Sequence, residues 1–236
     1  AMVNMYYSVI GLLAILTLLM ENQDILLNRE RAFDKPAWKV YRKFLFAVMV
    51  YYITDILWGA IGSFQLPHLL FADTTVYFVA MAAGVLLWTQ YMVSYLNEKN
   101  TFSHFLVHAG RAIAGIVIIL TIINIFHPVL FSIDENCVYH PLGVRYLILA
   151  TQILLLLLIS FYAFFSIILQ PERTGMELKY RTLGFFGLIM AVCLYCQLWF
   201  AYLPLYSIAY LLGTCLLRSF VIGDEKEAYR NELKEA

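Results

Sequence analysis

The sequence predicts an all-α integral membrane protein built as a bundle of seven transmembrane helices. Composition is the first reason. Of 236 residues, 62% are hydrophobic and only 14% are charged, whereas ordinary globular domains are about half apolar and a quarter charged. A soluble core of this length has no room for so much apolar surface. Segmentation is the second reason. The apolar residues fall into seven runs, each close to the roughly 20 residues that a helix needs to cross hydrocarbon. The third reason is how charge is placed between the runs.

Taken in order, the runs are 3–20, 44–66, 74–96, 112–131, 146–169, 182–203 and 206–222. The first stays free of charge until Glu21. The second carries a single one, Asp55. The third has Trp88 and Gln90 as its main large polar or amphipathic groups in its second half. The fourth holds Asn124 and His127, the fifth Gln152, the sixth Gln197 and Trp199, and the seventh Tyr210. The seventh is short but strongly apolar. Pro67, Pro128, Pro141, Pro171 and Pro204 stand at or near the joints, where a missing amide proton is tolerated.

Connections one, three and five, with the end of the last run and the tail, hold fifteen Lys and Arg; the other side holds only Arg145. Basic residues concentrate on the cytoplasmic side of membrane proteins. The expected topology is therefore N-terminus outside and C-terminus cytoplasmic, in an inner or cytoplasmic membrane, and an odd number of spans agrees with it. The expected division is a seven-helix domain over 1–222 and the start of a helical linker over 223–236.

That tail reads FVIGDEKEAYRNELKEA. Ile222, Tyr229 and Leu233 fit alternating a and d positions of a heptad pattern, so they are candidates for passing a signal along the tail. Two heptads are also compatible with a plain solvated helix.

The whole chain resembles the N-terminal seven-helix sensor region of bacterial signalling proteins. The likeness rests on the N-out layout, on KYRTLGFFGLIMA leading the sixth run, and on LPLYSIAYLLGTCLLRSFVIGDEKEAYRNEL closing the bundle. It implies a receptor role, a homodimer, and a diguanylate cyclase or histidine kinase output module following the bundle. It implies no catalysis by the bundle itself, and it names no ligand.

Polar groups in a bilayer cost free energy and usually face the bundle interior. Asp55 lies near the middle of its run, with Tyr51, Tyr52, Trp58, Gly59 and Gly62 on or beside its face. Asn124, His127, Gln152, Gln197, Trp199 and Tyr210 all fall in the outer halves of their runs. Together they suggest a pocket opening outward, with aromatic walls and a few hydrogen-bonding groups, suited to a small molecule or a lipid. The plainer reading is that each group bonds a neighbouring helix and fixes packing. No Lys or Arg is expected at the depth of Asp55, so its carboxyl is expected to keep its proton and to face inward. Tyr6, Tyr7 and Tyr206 suit interfacial belt positions.

Other classes fit less well. Covalent retinal needs a lysine inside the last helix, and there is none. A seven-helix zinc hydrolase needs several His converging with a carboxylate. His104 and His108, in HFLVH, share a face at the basic end, while His68, His127 and His140 lie at the other. No metal and no cofactor are expected. Cys137 alone sits in an outer connection, leaving no disulfide partner there. Balanced net charge gives no reason to expect nucleic acid. A small-solute transporter is the main rival to a receptor, although the two halves share no repeat of broken helices.

Overall fold

The computed structural model describes residues 2–27, 36–96, 100–169, 177–200 and 203–223, together with positions 231 and 234. Seven α-helices run through it: α1 (Met2–Leu26), α2 (Pro36–Ser63), α3 (Pro67–Leu96), α4 (Thr101–Phe126), α5 (Gly143–Leu169), α6 (Glu177–Trp199) and α7 (Leu205–Leu217). The last continues as a π-helical turn, Arg218–Ile222. All seven paths are long and apolar enough to cross a membrane, α7 being counted with its π-helical turn. The chain is a multi-pass membrane protein.

Most of the helices reach past their apolar runs at the basic end of the bundle. α2 begins at Pro36, not at 44, because Trp38 and Tyr41 continue its buried face. α4 begins at Thr101, where the Asn100 side chain accepts a hydrogen bond from the Ser103 amide at 2.7 Å, the usual way of satisfying a first-turn donor. At the other end α4 stops at Phe126, five residues short of the expected limit, with Pro128 just beyond it. In place of a last helical turn and an open loop the chain forms a hairpin, β1 (Phe131–Ile133) antiparallel to β2 (Tyr139–Pro141). Its turn contains Cys137 at a φ of 58°.

The helices pack in sequence order, α1 on α2, α2 on α3, α3 on α4 and onward, and α7 closes the ring against α1 and α2. α3 also meets α5 and so runs through the middle. Glycines let α7 approach α3 and α6 closely. At Gly84 a Cβ would collide with the Tyr210 hydroxyl, and at Gly213 one would collide with the Phe186 ring. Along the axis runs a column of rings. Tyr77 meets Tyr51 at 5.0 Å, Tyr51 meets Tyr206 at 5.3 Å and Tyr206 meets Tyr210 at 4.6 Å. Phe44 then links Tyr210 to Trp88, and Trp88 lies 4.2 Å from Phe186 and 5.7 Å from Tyr91. Such pairs each add about 0.5–1.5 kcal/mol beyond area burial in soluble proteins. In lipid, where apolar burial between helices brings little gain, this kind of packing matters more.

Candidate functional site

At the end of the bundle away from the basic residues, six elements leave a cavity of about 60 Å³. Tyr7 of α1, Thr54, Asp55 and Trp58 of α2, and Asp73, Thr74 and Tyr77 of α3 line it. Tyr139 of β2, Arg145 of α5 and Gln197 of α6 complete the wall. The i to i+3 and i+4 spacing of 54, 55 and 58, and of 73, 74 and 77, brings each set to one helix face.

The α1–α2 wall is drawn tight. A Cβ at Gly11 would sit 3.3 Å from that of Asp55 and 3.0 Å from the Tyr52 carbonyl oxygen, and Ser8 Oγ donates to the Ile56 carbonyl at 2.8 Å. Tyr7 and Trp58 form an aromatic corner, with ring centroids 5.1 Å apart.

Two lining side chains hold the first turn of α7. Asp55, only 2% exposed, accepts a hydrogen bond from the Ser207 hydroxyl. Gln197 Oε1 accepts from the Tyr206 amide at 2.9 Å, and its Nε2 donates to the Tyr77 hydroxyl at 3.3 Å. The Tyr51 and Tyr77 hydroxyls are 3.2 Å apart. The start of α7 is thus bonded directly to the cavity wall.

Two other lining groups are ionisable and poorly satisfied. Asp73 is 7% exposed and its Oδ2 is buried with no hydrogen-bond partner. Arg145 is 5% exposed and its Nη1 is in the same state. The Arg145 guanidinium faces rings instead, 6.0 Å from the centroid of Tyr139 and 5.4 Å from that of Tyr146. Among the described residues neither Asp73 nor Arg145 belongs to an ion pair within 4.0 Å; the pairs present are His140–Asp134, Arg181–Glu177 and Arg218–Asp24.

Of the residues singled out in the sequence, Asp55, Trp58 and Gln197 line the cavity. Tyr210 lies one turn further along α7, buried in the ring column, its hydroxyl 3.2 Å from that of Tyr206. Asn124 is buried but serves the hairpin. Its Oδ1 accepts from the amides of Val129 and Leu130 at 2.8 and 2.7 Å, and its Nδ2 donates to the Phe131 carbonyl at 3.1 Å. His127 is the exposed residue closing α4. Gln152 is fully buried in α5 with neither amide atom bonded, and it is not part of the cavity lining. Trp199 ends α6 and is 71% exposed, directed away from the interior. Ile222 is buried in the π-helical turn. Tyr229 and Leu233 lie outside the described residues.

Arg145 lines the same cavity as Asp55. The apolar run begins at 146 and leaves Arg145 in a connection, but α5 starts at Gly143 and carries it into the cavity wall. Its sequence signal was its isolation as the single basic residue on its side. Asp73 was likewise counted with a connection because the apolar run begins at 74; the helix begins at Pro67. Tyr206 and Tyr7, read as belt residues, are buried. His104 and His108 lie on α4 at the opposite end, and among the described residues no three His, Cys, Asp or Glu come together as a metal site. The chain matches no protein-family model, no curated protein and no solved structure.

Proposed function

We propose that this seven-helix bundle is a membrane receptor domain, which binds a small molecule or a lipid headgroup in the cavity and reports occupancy through α7. One observation carries the reading. Asp55 and Gln197 line the cavity and also hold the first turn of α7 through Ser207 and Tyr206. A ligand that competes for either wall residue changes how α7 is held, and α7 ends at the basic end of the bundle. The fifteen-to-one distribution of Lys and Arg supports an outward-facing cavity and a cytoplasmic C-terminus. On this reading α7 feeds a cytoplasmic linker in a bacterial membrane, the bundle works as a homodimer, and a cyclase or kinase module is the output. The bundle performs no chemistry of its own.

The test is a fusion of residues 1–236 to a reporter cyclase in bacterial membranes. Ser207→Ala and Gln197→Leu should each shift basal output while leaving the amount of folded protein nearly unchanged. Wild-type output from both variants, with the bundle intact, would remove the proposed route. Proteoliposome uptake separates the rival: a receptor binds its ligand without accumulating it in the lumen.

A further inference from the structure

The cavity holds two unmet demands of opposite sign. Arg145 Nη1 is a buried cationic donor without an acceptor, and Asp73 Oδ2 is a buried carboxyl oxygen without a donor. Arginine stays charged in proteins, and a buried charge without a counter-group is strongly unfavourable. Asp55 does not supply the missing partner, since its carboxyl is engaged by Ser207 and forms no ion pair with Arg145 within 4.0 Å. Both residues line one cavity of about 60 Å³. By the same measure a water needs roughly 10–15 Å³, so the space suits a group of only a few non-hydrogen atoms. Tyr7, Trp58, Tyr77 and Tyr139 give it aromatic walls, which attract ammonium groups through their ring faces.

We infer that the cavity takes a small zwitterionic group, an ammonium joined through a short carbon link to a carboxylate or phosphate, with the anion on Arg145 and the ammonium on Asp73 among the rings. This deepens the receptor reading and rests on the cavity being a ligand site. The same chemistry occurs in a free amino acid and in a phosphoethanolamine lipid headgroup.

The test is thermal unfolding of the purified chain in dodecyl maltoside, whose headgroup carries no charge. β-Alanine and O-phosphoethanolamine, each well above its Kd, should raise the midpoint by roughly 5 °C, while acetate, methylammonium and monoolein should not. Arg145→Gln and Asp73→Asn should each abolish that rise, and Arg145→Lys should recover part of it. If only phosphatidylethanolamine added to the micelles gives the rise, the class holds and the source is lipid. A rise with acetate or monoolein equal to that with β-alanine overturns the class but leaves a receptor. Lack of response to every zwitterionic probe, with all variants folded, overturns it as well and marks Arg145 and Asp73 as groups bridged by water. Uptake of radiolabelled β-alanine into proteoliposomes would uphold the ligand class while defeating the receptor reading.

Discussion

Two arginines separate the two ends of this molecule. Arg218, at the end of α7, donates through Nη2 to Asp24 Oδ2 of α1 at 2.7 Å, and both side chains are largely covered. Arg145, at the start of α5, has two carboxyl groups in the same cavity and forms an ion pair with neither. The same residue type is thus ion-paired at one end and not at the other, although Nη1 of each is buried without a hydrogen-bond partner. A closed pair staples α1 to α7 and sets where the last helix leaves the bundle. An unfinished one costs stability that a partner from outside can return. Stability given up at one place in a fold is a mark of function there.

Breaking the closed end should have the largest effect. Asp24→Ala leaves the partly buried Arg218 without its carboxylate, and the expected loss is about 2–3 kcal/mol, below the roughly 3–5 kcal/mol of fully buried pairs because both groups keep some contact with solvent. Unfolding in mixed micelles would measure it. A loss below about 0.5 kcal/mol would mean that the two ends do not differ in the way described.

The link between cavity and α7 comes next. Asp55→Leu removes the acceptor of the Ser207 hydroxyl and should cost about 1–3 kcal/mol, whereas Asp55→Asn keeps an acceptor and should be nearly neutral. Equal losses in the two variants would show that packing, not the hydrogen bond, holds that contact.

A smaller and opposite effect is expected at the open end. Arg145→Gln removes a buried charge that has no counter-ion and should leave the ligand-free protein unchanged or stabilise it by up to about 1 kcal/mol. Set beside Asp24→Ala, its sign is the sharpest check on the comparison. A loss as large as that of Asp24→Ala would place a missed partner beside Arg145.

The smallest effect concerns the hairpin over the cavity. Asp134 Oδ1 accepts from the amides of Asn136 and Val138 at 2.9 and 2.8 Å, and its other oxygen lies 3.3 Å from His140 Nε2. The Val138 amide, the His140 side chain and the Asn136 amide hold its carboxyl below the usual aspartate value. Because the folded value lies below the unfolded one, the contribution is complete above the unfolded value and is lost as pH falls through the folded one. Cys137, in the turn, is a native reporter. Its labelling by a membrane-impermeant maleimide from outside should mark the hairpin face, and protection of the Asn136 and Val138 amides, relative to their intrinsic exchange rate at each pH, should be lost only in acid. Asp134→Asn should remove that acid dependence. Labelling of Cys137 from the cytoplasmic side alone would reverse the proposed orientation.

Hydropathy carried the helices because lipid imposes a length and an apolar content that few other structures satisfy. It could not give their ends. Where α2 leaves its apolar run, Trp38 and Tyr41 keep it folded through packing, and packing is not visible in a window average. The hairpin was missed although its signal exists: Asp134-Glu135-Asn136 between LFSI and CVYH has the turn residues and flanking apolar pattern of a strand pair. Asn124, four residues before Pro128, belongs to that same local arrangement. The cavity was half legible. Asp55, Trp58 and Gln197 stood out as polar or amphipathic groups inside apolar runs. Asp73 and Arg145 did not, because each sits near the start of its helix and therefore looks like part of a connection.

The turn that ends α7 has a mechanical corollary. The Gly223 amide donates to the Arg218 carbonyl, five residues back, where an α-helix would reach four back. One residue is wound into this stretch beyond what α-helical pitch requires. If this turn changed to ordinary α-helical bonding, everything attached beyond Gly223 would swivel by roughly 100° about the helix axis and advance by about 1.5 Å, with no bond broken in α7 above Cys215. Arg218, held by Asp24 at the first residue of this turn, sits where such a swivel would begin.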